Sequence, residues 1–247
     1  MRNNMKKKLK LKFILIIFFS ILTAIAAVFF VGKYIVTLKY VKFEADFDLD
    51  KKKLLQYLEI ESDKGVLNYN VDSMKEKLSK LLYLKSYDVY LRNPNTLVIN
   101  LQIRRPVAKV VGENNNLYFI DETGFVYREV QNDYEKTPTL IFSGGADKIK
   151  IGVIISGKYK NLLYELTLLK SNYSDIYDSI SQFEVFGDAK DDVIYKIYFK
   201  TINHCIYLKN IINVDCISKG LAGAMYFDKI NRNDKKLFYT KNAFEIM

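Results

Sequence analysis

Residues Tyr87–Arg105 read YDVYLRNPNTLVINLQIRR. Leu97, Ile99, Leu101 and Ile103 alternate with Val98, Asn100, Gln102 and Arg104, the period of two that places one set of side chains on the buried face of a strand. Tyr87–Arg92 is a second strand-like run, and Asn93-Pro94-Asn95 between the two is turn chemistry. The stretch therefore predicts a β-hairpin. Upstream the period changes. Ser73-Met74-Lys75-Glu76 fits a capping box, and Val71, Met74, Leu78, Leu81 and Leu82 fall on one helical face. Asp50 precedes KKKLLQYLEI, in which Leu54, Leu55 and Leu58 make a short apolar stripe before Gly65 breaks it. Tyr34–Ala45, rich in β-branched and aromatic residues, predicts a strand. Strand, helix, helix, strand, strand is the order expected of two helices on one face of a three-stranded sheet, an α+β module.

Further upstream lies FILIIFFSILTAIAAVFFVG, an uncharged run from Phe13 to Gly32. Its 20 residues at a rise of about 1.5 Å each match the hydrocarbon thickness of a bilayer, so a single transmembrane helix is expected. Ser20 and Thr23 can bond back to their own helix's carbonyls, and no buried charge needs a partner. Arg2, Lys6, Lys7, Lys8, Lys10 and Lys12 precede the span without an acid, against Lys33, Lys39 and Lys42 just after it. The positive-inside bias places the amino terminus in the cytoplasm and the rest outside. A cleavable signal peptide is the competing reading, since Ala24 and Ala26 offer an A-x-A site. The apolar run continues past that site through Val28-Phe29-Phe30-Val31, which favours the anchor. A lipoprotein is excluded by the lack of a cysteine near the amino terminus.

Downstream of Pro106, VAKVVGENNNLYFIDETGFVYREV predicts two or three short strands joined by Asn-rich and Asp121-Glu122-Thr123-Gly124 turns. Leu162, Leu163, Leu166 and Leu169 mark an amphipathic helix over 158–169, and alternation predicts strands at 183–186, 194–199 and 202–208. A further helix is expected over about 214–227 and a last strand over about 236–244. A chain end often forms a sheet edge, so that last strand is the natural place for another protein to add a strand.

The net charge of +10 would suggest nucleic acid if it were spread over a folded surface. Six of those charges sit in the amino-terminal tail, and the remainder carries 32 basic against 28 acidic residues. That removes the main support for a nucleic-acid partner. One histidine and two cysteines cannot complete a multi-ligand metal site. His204 and Cys205 are neighbours on an expected strand and would point to opposite faces, which defeats a dyad. Asp188, Asp191 and Asp192 lack the ligand spacing of a calcium loop, and Gly144-Gly145 has no following Lys-Ser/Thr. No catalytic group, cofactor site, metal site or small-molecule substrate site emerges. For Cys205 and Cys216, eleven residues apart, a disulfide and two small buried hydrophobes both stay open.

Several of these pieces resemble one bacterial family. Val66-Leu67-Asn68-Tyr69 through Asp72, Leu91-Arg92-Asn93-Pro94-Asn95-Thr96-Leu97 and Arg104-Arg105-Pro106-Val107-Ala108 are similar, in order and spacing, to the first outer module of the FtsQ/DivIB cell-division proteins. Leu117–Tyr127, Thr137–Gly144 and, more faintly, Leu237–Phe244 resemble its second outer domain. Ile103 stands where that family often has Glu, Asn93 where it often has Trp, Phe238 in place of Arg, and Asn242 in place of Gly. The resemblance implies a cytoplasmic tail (1–12), a span and its exit (13–36), a POTRA domain (37–105) and a β-rich domain with an antiparallel sheet and flanking helices (106–247). It implies a non-enzymatic scaffold of the inner membrane at the division site that binds FtsB/DivIC-like and FtsL-like proteins and helps recruit or regulate septal peptidoglycan synthesis. The contact expected at the last strand is Phe238, Tyr239, Thr240, Asn242 and Phe244. The rivals are a POTRA-bearing secretion or outer-membrane assembly component, which normally carries repeated modules or a long barrel, and a membrane-anchored envelope enzyme. An enzyme calls for a deep polar pocket, a scaffold for a free edge strand.

Overall fold

A computed structural model describes residues 2–31, 36–61, 64–93, 95–112, 115–131, 136–143, 149–155, 157–187, 192–230, 236–240 and 243–246. The chain divides into two compact units, Met1–Ile103 and Arg104–Met247, and its architecture is α+β. Helix α1 (Arg2–Phe30) opens the chain. Its window Phe13–Phe30 has a mean hydropathy of 2.9 and none of it is buried inside the protein, so it is long and apolar enough to cross a membrane. Thr23 Oγ1 donates to the carbonyls of Phe19 and Ser20, at 3.0 and 2.9 Å, which satisfies the hydroxyl within its own helix.

The first unit continues with β1 (Tyr40–Ala45), α2 (Lys51–Tyr57), α3 (Val71–Ser79), β2 (Leu84–Arg92) and β3 (Thr96–Ile103). The sheet order is β1-β3-β2, with β1 parallel and β2 antiparallel to β3. Asn93, at φ 63°, begins the hairpin turn, a left-handed position that Asn tolerates better than most side chains; Pro94 lies outside the described residues. Leu54, Leu58, Met74 and Leu78 from the helices meet Val89, Leu97, Ile99 and Leu101 from the sheet in one core.

Two local expectations are corrected here. Helix α3 starts earlier than its supposed capping box, because Asn70 is the cap: its Oδ1 accepts from Ser73 N at 3.0 Å, leaving Ser73 inside the first turn. The helix ends at Ser79, so Leu82 falls beyond the stripe and is exposed. Helix α2 ends well before Gly65, by a Schellman closure in which Ile60 N donates to Leu55 O and Glu59 N to Gln56 O. Glu59 takes the left-handed position at φ 56°. A Glu gives no warning of such a stop, since glycine is the usual occupant.

The second unit is built on nine strands, β4 (Ala108–Val111), β5 (Leu117–Ile120), β6 (Val126–Glu129), β7 (Thr139–Phe142), β8 (Ile180–Phe186), β9 (Ile194–Phe199), β10 (Ile206–Lys209), β11 (Leu237–Thr240) and β12 (Ala243–Ile246). They run in the order β12-β11-β10-β9-β8-β7-β4-β5-β6. The sheet is mixed, not antiparallel as expected: β4/β7, β7/β8 and β10/β11 are parallel pairs. Helices cause two of these. Helices α4 (Lys160–Asn172) and α5 (Ser174–Ser179) carry the chain from β7 to β8, and α6 (Val214–Lys229) carries it from β10 to β11. A crossover of that kind returns the chain to the same end of the sheet, so the next strand runs parallel. Leu162, Leu163, Leu166 and Leu169 of α4 and Ile217, Ala224 and Phe227 of α6 are buried with Leu140, Phe183, Ile197 and Ile206 of the sheet.

The start of this unit is pinned by polar groups. Asp121, fully buried, accepts from Thr123 N, Thr123 Oγ1 and Phe125 N and pairs with Arg104 Nη1. The Arg104 guanidinium lies 4.3 Å over the Phe125 ring. Tyr177 Oη donates to Val107 O at 2.7 Å and Lys170 Nζ to Pro106 O at 2.6 Å, so the Arg-Arg-Pro-Val-Ala segment is held by side chains far along the sequence.

The cap assignment is directly testable. Asn70→Ala is expected to cost about 1 kcal/mol of stability, while Ser73→Ala stays within about 0.5 kcal/mol, as measured by urea unfolding followed by circular dichroism.

Candidate partner-binding edge

Helix α6 positions the end of the sheet. Asn213 caps it, its Oδ1 accepting from Cys216 N at 2.8 Å, and Glu165 Oε2 of α4 accepts from Val214 N at 3.0 Å. Two donors at the helix start are thereby satisfied without water. From the far end of α6 the chain returns as β11, parallel to β10, and then turns back as β12, antiparallel to β11 with Tyr239 opposite Phe244.

The expected single last strand is thus two. Phe238 and Tyr239 stand on β11, which has a strand on either side, and the sheet edge is β12. The backbones of Thr240 and Phe244 lie in β11 and β12; Asn242 lies outside the described residues. The period-of-two reading saw one apolar run here. The sequence between β11 and β12 carries no glycine or proline to signal that the chain turns back.

Phe238 and Tyr239 face different surroundings. Tyr239 is 5% exposed and packs in the main core. A hydrogen bond shared with the Cys216 thiol, and then burial, raise its pKa above the ordinary tyrosine value. Phe238 is half-buried on the other face, stacked on Tyr207 with ring centroids 4.4 Å apart and planes at 9°. It stands in a row that crosses the sheet, with Glu245 of β12 opposite it on one side and Tyr207 on the other. Tyr207 lies opposite both Phe238 and Lys196, and Lys196 lies opposite Glu184. Lys196 Nζ is 3.5 Å from Glu184 Oε2 and 4.5 Å from the Tyr198 ring centre, and Tyr198 Oη donates to Glu184 Oε1 at 2.9 Å. A hydrogen bond with Tyr198 leads the contacts that push the Lys196 pKa well above its ordinary value, so the ammonium stays charged.

The two ends of the nine-stranded sheet differ. At β6, a strap from 152–155 covers the outer side: Val126 N donates to Val153 O, Gly152 N to Val126 O and Ile155 N to Gly124 O. At β12 no further strand pairs among the described residues. A short strand with one free side is the arrangement that accepts an added strand, main-chain bonds giving affinity and neighbouring side chains selectivity.

Chemistry is not apparent in the same region. Among the described residues no three His, Cys, Asp or Glu side chains gather as metal ligands. His204 and Cys205 precede β10 instead of lying on it. His204 is buried with Nδ1 3.8 Å from Asp228 Oδ1 and its ring against Phe227, whereas Cys205 is only partly buried. Cys205 and Cys216 are free thiols, the first partly buried and the second buried. Asp192 accepts from Asn210 and pairs with Lys209 on the surface; Asp188, Asp191 and Gly144-Gly145 lie outside the described residues. An open cavity of about 440 Å³ in the first unit is lined by Leu38, Lys39, Val41, Leu55, Ile60 and Glu61, which supply no nucleophile with a base.

A family model described as "POTRA domain, FtsQ-type" matches residues 36–103. The protein named Cell division protein FtsQ from Rickettsia bellii (strain RML369-C) is 25% identical over 199 residues, 80% of this chain and 64% of that protein. Its namesake from Rickettsia felis is 26% identical over 210 residues, 85% and 68% of the two chains. That from Rickettsia prowazekii is 30% identical over 95 residues, 38% and 35%. The match thus spans under two thirds of the Rickettsia bellii protein's own length.

The two neighbours on β11 are separable by stability. Tyr239→Ala is expected to cost about 3 kcal/mol through the cavity it leaves, whereas Phe238→Ala loses about 1 kcal/mol of ring stacking and keeps the fold; urea titrations of the two variants give the comparison. The POTRA match and the similarity along most of the sequence lead to one conclusion: residues 36–103 are a POTRA domain of the FtsQ type, and the chain is a relative of the cell division proteins named FtsQ.

Proposed function

We propose that this chain is a non-enzymatic, single-span cell-division protein that holds other division proteins by strand addition at the carboxy-terminal edge of its sheet. The observation that carries this reading is the free side of β12 on a chain related to FtsQ. The basic residues in the first part of α1 and the less basic stretch after it support a cytoplasmic amino terminus, with both folded units outside at the division site. The expected partners are FtsB/DivIC-like and FtsL-like proteins, through which the chain helps recruit or regulate septal peptidoglycan synthesis. Within the proposed contact of Phe238, Tyr239, Thr240, Asn242 and Phe244, the strand pairing itself falls to β12, and Tyr239 acts from the core beneath it.

The test moves accordingly from β11 to β12. Proline at Tyr239 would damage an internal strand. Along a strand, adjacent N–H groups point to opposite sides, so of Phe244→Pro and Glu245→Pro one removes an inward donor and the other an outward one. The outward variant is expected to abolish co-purification with the FtsB-like protein of the same organism while the thermal melt by circular dichroism is unchanged. Retained co-purification in both variants, each with a normal melt, would reject the site.

A further inference from the structure

We propose that β1 is the seam of a homodimer, pairing antiparallel with β1 of a second copy about Phe43. Strand β1 is an edge of the three-stranded sheet, with β3 as its strand partner. Tyr40 N donates to Asn95 O, so Tyr40, Lys42 and Glu44 direct their main-chain groups toward β3. By alternation Val41, Phe43 and Ala45 direct theirs outward, and no strand pairs with that side among the described residues.

The sequence YVKFEA is complementary to itself in one register. With Phe43 opposite its own copy, Val41 stands opposite Ala45 and Lys42 opposite Glu44. The outward-facing residues Val41, Phe43 and Ala45 then form the hydrogen-bonded pairs, so main-chain parity and side-chain charge select the same alignment. Lys42 and Glu44 already lie together on one face at 2.8 Å within a strand, and each would meet its opposite across the seam. Val41 and Phe43 lean on the core of their own unit and are only partly buried; the seam would cover their open sides. A lysine in the middle of an edge normally blunts unwanted pairing. Here the same lysine selects a copy of its own strand.

An antiparallel strand pair of this kind has its two-fold axis normal to the sheet. Two chains anchored from the same side of one bilayer need that axis along the membrane normal. Confinement to the bilayer raises the effective concentration, so a short seam, Val41–Ala45 on each side, does not need the area of a soluble dimer.

The full chain in detergent micelles is expected to sediment as a dimer. Lys42→Glu and Glu44→Lys, each placing like charges opposite, weaken it by about tenfold or more, and the double variant K42E/E44K restores it. In a chain carrying Cys205→Ser and Cys216→Ser, Phe43→Cys gives a covalent dimer on mild oxidation, whereas Tyr40→Cys, far from its own copy in this register, does not. Circular dichroism melts report folding of each variant. A monomer at every concentration, a dimer indifferent to both charge reversals, or cross-linking at Tyr40→Cys in place of Phe43→Cys overturns the proposal.

Discussion

The carboxy-terminal end of the large sheet hangs on α6. Strand β11 runs parallel to β10, and no short turn can connect parallel neighbours. The chain must cross over the sheet, and the crossing holds only if α6 buries its apolar side there. Cys216, Ile217, Ala224 and Phe227 do so, and Asn213 and Glu165 satisfy donors at its start. Remove that packing and β11 has no reason to return, nor has β12 a strand to pair with. The candidate edge is therefore a consequence of helix burial many residues before it.

A second constraint acts at the start of the same unit. Asp121 is fully buried, and a buried carboxylate is stable only if its oxygens are filled. Two backbone N–H groups, one hydroxyl and the Arg104 guanidinium fill them. The Arg-Arg-Pro-Val-Ala segment is held at Arg104 by this carboxylate, at Pro106 by Lys170 and at Val107 by Tyr177. Of these three anchors only the one at Arg104 depends on the segment's own side chain, since those at Pro106 and Val107 use main-chain carbonyls.

The parts of the fold that were legible share one property, a pattern longer than the irregularities within it. Strand β9 alternates cleanly, β3 alternates apart from the buried Val98, and α4 repeats Leu at helical spacing. Their ends move by up to three residues. The illegible parts turn on single residues acting against type. Glu59 sits where glycine is usual and Asn70 caps a helix three residues before the Ser that looks like a cap. The reversal between β11 and β12 splits one apolar run in two. Parallel pairing was hidden for another reason: a period of two reports which face a side chain takes, never which neighbour its strand acquires. Phe238 and Tyr239 both belong to the expected contact, yet Tyr239 is a core residue and Phe238 stacks on Tyr207 on the open face.

Edge strands expose unpaired main chain, and this protein treats its edges in different ways. At β6 the chain supplies its own strap, which uses both main-chain groups of Val126 and the carbonyl of Gly124. On β1 a Lys–Glu pair on the strand replaces a strap. Charge blunts an edge against apolar strands because pairing would desolvate the ammonium and carboxylate without compensation. The same charges cease to be a deterrent once the incoming strand presents the opposite sign at each position. The β12 edge has neither a strap among the described residues nor a long run to defend, being four residues in length. Brevity limits its hydrogen bonds, so a partner held there needs side-chain contacts beyond the ladder, and the Phe238–Tyr207 stack on the adjoining open face is the apolar surface nearest to hand.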